Sequence, residues 1–270
     1  MKNSKVQAVV KLGGGAITEK GSETPTPKLD VIERLAQEIS STRLPMAIVH
    51  GGGSFGHPIA ENYHLVEGFH SAEQVRGVVD THRSMMVLNE IVTDAFSKAG
   101  CFAFAISTST CFVTDNGRIS SAFLEPIAFA VRLGCTPVLY GDVVFDSRLG
   151  FTILSGDQIA AYLAQDLGAR RLIFALEFDG VYTKNPLQKG AKLIKKLDAD
   201  QLVRLAGRAS SKTKGSDVTG GMRKKLFESI SAAKAGITVC FAGVSPAGNI
   251  RSAIKGNSFR GTLIEGSRKT

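Results

Sequence analysis

The chain has 270 residues, of which 43% are hydrophobic and 21% charged, with a formal net charge of +9. A chain of this size can bury a sizeable core, as one large α/β domain or as two lobes sharing a sheet. No apolar run reaches the roughly 18 residues of a bilayer span, so no membrane association is expected.

The basic charge fits a solvated surface, an anionic ligand or a nucleic acid. Aromatic residues are few across the basic stretch from Lys184 to Lys225, and no nucleic-acid motif is present, so a small, highly charged anion is the expected partner. The basic start "MKNSK" leads into a short run that ends in Gly13-Gly14-Gly15, which reads as a first strand and not as a secretory segment. Cys101, Cys111, Cys135 and Cys240 show no CxxC spacing and sit among apolar neighbours. They read as reduced core residues of a cytoplasmic protein.

In chain order, strand and helix patterns alternate, which predicts an α/β fold with a largely parallel sheet. Residues 6–12 form a strand, 29–43 an amphipathic helix, and 46–49 a second strand. After a glycine loop, 72–99 reads as a long helix and 101–106 as a strand. Asn116-Gly117 marks a tight hairpin. A helix over 125–133, a buried strand over 136–140 and a second hairpin over 143–154 follow. Then come a helix over 156–167, a strand over 171–176, a loop over 179–186, a helix from 221 to about 235, and closing strands at 237–241 and 261–264. The polar, Gly/Ser-rich segment 207–221 suggests a lid over a site. A lobe boundary near Gly168 divides the chain into residues 1–168 and 169–270.

Two of these strands empty into glycine clusters, "KLGGGA" at 11–16 and "HGGGSFG" at 50–56. Glycine permits positive φ and close approach, so consecutive N–H groups can converge on an anion, aided by an adjacent helix N-terminus. Residues 51–56 also satisfy GxGxxG, but the acidic partner that a dinucleotide site needs would fall near Glu73, inside a helical pattern. An esterase reading of "HGGG" needs a GxSxG nucleophile apart from that loop, and the one match, residues 52–56, lies inside the loop itself; no GxxxxGK[ST] is present.

Lys11 precedes the first glycine cluster, Lys20 follows nine residues later, and Lys225 follows Gly220-Gly221. Lysines beside glycine turns fit phosphoryl transfer, where catalysis is chiefly positioning and charge stabilisation. Asp157 opens a helix in "LSGDQIA" and could simply cap it. Asp179 in "FDGVYTKNP" could simply make a turn.

In order, "VVKLGGGAI", "IVHGGGSFGHP", "LSGDQIA", "DGVYTKNP" and "DVTGGMRKKL" resemble the amino-acid kinase family, over nearly the whole chain. The resemblance implies a three-layer α/β sandwich around one open, largely parallel sheet. It places the phosphate acceptor in the first lobe (1–168), ATP in the second (169–270), and implies Mg²⁺ with ATP and a homodimer. The ending "GSFGHP" resembles the branch that phosphorylates isopentenyl phosphate to the diphosphate in isoprenoid synthesis.

Carried over by position, the resemblance implies that His57 binds the acceptor phosphate and that Lys11 and Lys20 contact the transferring phosphoryl group. Gly13 and Gly14 would face the ATP phosphates, while Gly52, Gly53 and Gly156 line the gap between acceptor and donor. Asp157 would organise the lysines, and Asp179, Gly220, Gly221 and Lys225 would serve the nucleotide. No side chain is expected to bind a metal directly. Leu176 and Glu177 stand where the family usually has a Thr-Asp pair, a departure that bears on hydrogen bonding to the nucleotide.

The organic tail needs an apolar wall, with Val79, Met85, Met86, Val143, Ile153 and Ile159 as candidates. Two rivals stay open: a fosfomycin-type or other small phosphate or phosphonate kinase, and a nucleotide-binding protein of this fold without turnover.

Overall fold

The computed structural model describes residues 6–19, 21–22, 24–208 and 220–266. Its strands are β1 (Ala8–Leu12), β2 (Met46–His50), β3 (Ala103–Ala105), β4 (Phe112–Asp115), β5 (Arg118–Ala122), β6 (Thr136–Tyr140), β7 (Asp142–Asp146), β8 (Gly150–Leu154), β9 (Arg171–Leu176), β10 (Lys196–Leu197), β11 (Thr238–Gly243) and β12 (Gly261–Ile264). Its helices are α1 (Gly14–Ile17), α2 (Leu29–Ser40), α3 (His57–Asn62), α4 (Gln74–Lys98), α5 (Thr108–Cys111), α6 (Glu125–Arg132), α7 (Gly156–Asp166), α8 (Ala199–Arg208), α9 (Gly220–Lys234) and α10 (Asn249–Lys255).

Among the described residues, eight strands form one sheet in the order β10-β12-β11-β9-β1-β2-β6-β3. All neighbours are parallel except the β11–β12 pair. A smaller sheet, β5-β4-β7-β8, is built from the two hairpins. The central strands are buried on both faces, which explains why they read as unbroken apolar runs instead of alternating ones.

Period-two alternation sends Val9, Leu172 and Phe174 into a core shared with Ile159 and Leu163 of α7, Leu202 of α8 and Leu226 of α9. Ala8, Val10, Leu12 and Ile173 go to the opposite core, with Ile32 and Leu35 of α2, Met85 and Leu88 of α4, and Ile250 of α10. Helices thus cover both faces of the sheet, the expected three layers. The functional consequence concerns Lys11, which shares the Val9 face of β1 and therefore points toward α7.

Several boundaries shift. The helix predicted to Arg43 stops at Ser40, since Arg43 adopts a left-handed φ of 54°. The strand predicted over 101–106 shrinks to the edge strand β3, where Phe104 is exposed. Asn116 and Gly117 take φ of 50° and 76°, as a type I′ hairpin requires. Of the cysteines, Cys111 and Cys240 are buried while Cys101 and Cys135 are only partly so, and all are free.

Helices α1, α3, α5, α8 and α10 have no counterpart in the sequence reading. For α8 a signal was available, because Asp198 and Gln201 exchange reciprocal side-chain bonds of 2.7 and 2.9 Å to each other's backbone N–H. Of the segment predicted as a lid, residues 209–219 lie outside the described residues; Gly207 belongs to α8 and Gly221 to α9. No helix among the described residues is long and apolar enough to cross a membrane.

Candidate active site

The parallel register brings the C-terminal ends of β1 and β2 level, with Leu12 opposite His50, so both glycine clusters open at the same edge of the sheet. There they touch. A Cβ on Gly14 would collide with the Gly53 backbone, and one on Gly53, whose φ is 48°, would strike the Thr18 hydroxyl. The Thr18 hydroxyl accepts the Ser54 N–H at 3.0 Å and donates to the Gly14 carbonyl at 2.9 Å, tying the two loops together. The glycines are needed because two backbones meet at a distance that no side chain permits.

His50 is wholly buried, hydrogen-bonded to the Gly51 carbonyl at 3.2 Å and to Asn89 at 3.1 Å, and stacked on Tyr140. Burial lowers its pKa to about 4, so it is neutral and shapes the loop. His57 is different. It opens α3, where Pro58 favours the first turn, and stands exposed on the wall of a cavity of about 630 Å³. Desolvation holds its pKa below the ordinary histidine value, assisted by the charges of Lys11, Lys225 and Lys224 and opposed by Glu61.

The middle of this cavity is a cationic junction. Lys11 Nζ lies 2.8 Å from Oδ1 of Asp157, and Lys225 Nζ lies 3.1 Å from Oδ2. Asp157 is free for this because Ser155 caps α7, its hydroxyl accepting the Gln158 N–H at 3.2 Å. Burial pushes the Asp157 carboxyl up, but the two lysine charges and their hydrogen bonds outweigh it and hold the group below its ordinary value. Burial pulls Lys11 down, against the Asp157 charge. Gly156 leaves room beside them: a Cβ there would lie 2.9 Å from the His50 carbonyl and 3.4 Å from Lys11 Cε.

From this junction the cavity runs two ways. One arm is apolar, walled by Ala60, Val66, Met85 and Ile153, with Thr81 and Asp142 as polar lining. Asp142 is buried and held by His82 Nδ1 at 2.7 Å; burial raises its pKa to about 6, against that partner's pull. The other arm passes Gly13 and Gly14 toward Leu176, Glu177 and Phe178 at the end of β9 and toward Gly221, Met222 and Lys224 of α9.

Most of the residues singled out from the sequence converge here: Lys11, Gly13, Gly14, Gly52, His57, Ile153, Gly156, Asp157, Gly221 and Lys225 all line the cavity. Gly53 backs the loop junction instead of lining it, and Gly220 is the first residue of α9. Lys20 lies outside the described residues. Asp179 is not on the cavity wall; it accepts the Tyr182 hydroxyl at 3.1 Å and pairs with Arg260 Nη2 at 2.8 Å.

The apolar wall needs correction. Val79 and Met86 are about half exposed on the outer side of α4, away from the cavity. A helix turns about 100° per residue, so the inner face runs through Gly77, Thr81, Met85, Leu88 and Val92. Ile159 belongs to the core under the sheet and Val143 to a small satellite cluster. Ala60, Val66, Thr81 and Asp142 escaped the sequence reading; Thr81, four residues before Met85, could have been found from the helical period.

These features define a class. The chain belongs to the amino acid kinase family, whose model matches residues 7–243. A relative named isopentenyl phosphate kinase, from Methanothermobacter thermautotrophicus, is 38% identical over 96% of this chain and 98% of its own length. An X-ray structure of isopentenyl phosphate kinase matches with a TM-score of 0.82 at 34% identity, over 95% of this chain and 99% of that one. A crystal structure of an isopentenyl phosphate kinase substrate complex matches at 0.80 and 25% identity, over 96% and 100%.

Proposed function

We propose that the chain transfers the γ-phosphoryl group of ATP to isopentenyl phosphate, giving isopentenyl diphosphate and ADP. The observation that carries this reading is one cavity lined by a lysine–aspartate–lysine junction, by apolar Ala60, Val66, Met85 and Ile153 with His57, and by the glycine loops with residues of β9 and α9. The relatives named isopentenyl phosphate kinase support the same substrate.

The acceptor nucleophile is a phosphate oxygen, already ionised near neutral pH, so no general base is required. Asp157 suits that chemistry: it stays a carboxylate and orients two ammonium groups instead of taking a proton. Lys11 and Lys225 offset the repulsion between two anions and the charge that develops on the transferring group. His57 donates an N–H to the acceptor phosphate, and the N–H groups of the glycine loops face the phosphates of both substrates.

Lys20 is assigned the same contact with the transferring group as Lys11. Asp179 and Gly220 are assigned to the nucleotide side, Asp179 acting through the loop it holds together. Residues 1–168 form the acceptor lobe in this reading and residues 169–270 the nucleotide lobe. The apolar arm takes the five-carbon tail.

Among the described residues no three His, Cys, Asp or Glu side chains cluster to hold a metal ion. The nearest carboxylate, Asp157, has both oxygens engaged by lysines. Mg²⁺ enters this reading as a companion of the ATP phosphates. A homodimer belongs to the same reading; the edge strand β3, with Phe102 and Phe104 exposed, supports it, and sedimentation equilibrium tests it.

The test is ATP-dependent ADP release with isopentenyl phosphate, dimethylallyl phosphate and fosfomycin in parallel. Turnover on isopentenyl phosphate is expected. Turnover on fosfomycin alone would replace the acceptor, and ATP binding without turnover would replace catalysis with a binding role.

A further inference from the structure

Lys225 reaches Asp157 from α9, a helix distant in sequence from the one that carries the carboxylate. Helix α9 packs directly on α7, where Gln165 Nε2 donates to the Ser231 hydroxyl at 3.1 Å, and a hairpin that the phosphoryl-transfer chemistry leaves unused adds a second hold at the end nearer Asp157. The β4–β5 turn is braced from two sides. The Asp146 carboxylate accepts the N–H groups of Asn116 at 3.1 Å and Gly117 at 2.8 Å. The Gln158 side chain donates to the Gly117 carbonyl at 3.2 Å and accepts the Ile119 N–H at 3.0 Å.

Arg118 sits between those two clamped positions. Its guanidinium makes a two-point ion pair with Glu228 on α9, at 2.6 and 3.0 Å, and lies 5.8 Å from the centre of the Phe227 ring. Gln158 is the residue after Asp157, and Glu228 stands three positions, nearly one turn, after Lys225. One hairpin therefore grips α7 beside the carboxylate and α9 beside the lysine. Bidentate guanidinium–carboxylate pairs constrain orientation as well as distance, so this pair adds to the core packing of α9 a restraint on its rotation beside Lys225.

We infer that Arg118 is a positioning residue for phosphoryl transfer: through Glu228 it holds α9 so that Lys225 meets Asp157 in register. The inference rests on the kinase reading above. Arg118 is more than half exposed but Glu228 only 11% exposed, so loss of the arginine costs some stability as well as position, and the two are separated by reading the rate beside the melting temperature.

The test is a set of variants assayed with ATP and isopentenyl phosphate. Arg118→Ala is expected to lower kcat about tenfold, since sub-ångström misplacement of a charge-stabilising group is costly. KM for the acceptor should hold within about twofold, and the melting temperature should fall by no more than about 4 °C, so that the protein is folded throughout the assay. Arg118→Lys, which cannot make the two-point contact, should recover only part of the rate, whereas the exchange Arg118→Glu with Glu228→Arg should recover more.

The deciding measurement is Arg118→Ala in a Lys225→Ala background. An effect through Lys225 predicts no further loss there. An equal further loss, or a kcat for Arg118→Ala within about twofold of the parent, overturns the inference. A parent that turns over no acceptor overturns the kinase reading instead. The latch is then judged by ATP affinity in the same four proteins, where additivity of the two substitutions overturns it and non-additivity upholds it.

Discussion

Lys225 Nζ stands 3.1 Å from Asp157 Oδ2 although 68 residues separate them in the chain, and Lys11 Nζ holds the other oxygen at 2.8 Å. Three chain segments that meet only in the fold thus set two ammonium groups against one carboxylate at the centre of the cavity. The net charge left there is one positive, ready to meet phosphate.

Removing the carboxylate leaves two ammonium groups facing each other in a buried site. Asp157→Asn is expected to cost about 3–5 kcal/mol of stability at neutral pH, as for other buried pairs deprived of one partner. The pH dependence follows from the lowered carboxyl pKa. The stabilisation is fully present above the unfolded value of about 3.9 and is lost as pH falls through the lower folded value. Urea unfolding of both proteins from neutral to acid pH should show the difference shrinking toward low pH; a constant difference would contradict the pairing.

His57 is exposed, so its loss should touch binding and spare the fold. His57→Ala is expected to raise KM for isopentenyl phosphate about ten- to a hundredfold, the scale of one charge-assisted hydrogen bond. Without acceptor its pKa lies below the ordinary value, and a bound phosphate raises it. Acceptor binding then takes up a proton, and affinity improves as pH falls through the bound-state value. Calorimetry in two buffers of different ionisation heat should register that uptake in the parent and a smaller one in the variant.

The two adjacent methionines of α4 should behave oppositely. Met85 is 1% exposed and lines the apolar arm, so Met85→Ala is expected to cost about 2–5 kcal/mol and admit longer acceptor tails. Met86 is 50% exposed, and Met86→Ala should change stability by no more than about 0.5 kcal/mol and leave the acceptor profile alone. Melting curves and rates on a series of alkyl monophosphates check both.

Glycine positions divide in the same way. A Cβ at Gly14 meets the Gly53 backbone, so Gly14→Ala is expected to part the two loops and lower kcat about a hundredfold. A Cβ at Gly207, in helix α8, meets nothing within 4 Å, and Gly207→Ala should stabilise by about 0.5–1 kcal/mol. Single-turnover rates and thermal unfolding distinguish the two.

What could be read before folding were the features that local chemistry dictates. Apolar runs long enough to be strands buried on both sides, the Asn116-Gly117 turn and the two glycine clusters all follow from short-range sterics and burial. Lys11 stands out beside the first glycine cluster, and the role of His57 comes from the resemblance that "GSFGHP" carries. Their motif order was enough to suggest the family.

The tertiary structure decided the rest, because it depends on groups far apart in sequence. Local pattern alone left Asp157 as a possible cap; the fold shows Ser155 capping and Asp157 gripping lysines from β1 and α9. Of the two methionines named for the tail wall it kept Met85 and set Met86 outside, since which face of α4 is inward depends on what packs against it. It moved Asp179 off the cavity wall and brought Arg118 to Glu228 across 110 residues. Distances between residues separated by many tens of positions are set by sheet register and helix packing, and no short window of sequence contains them.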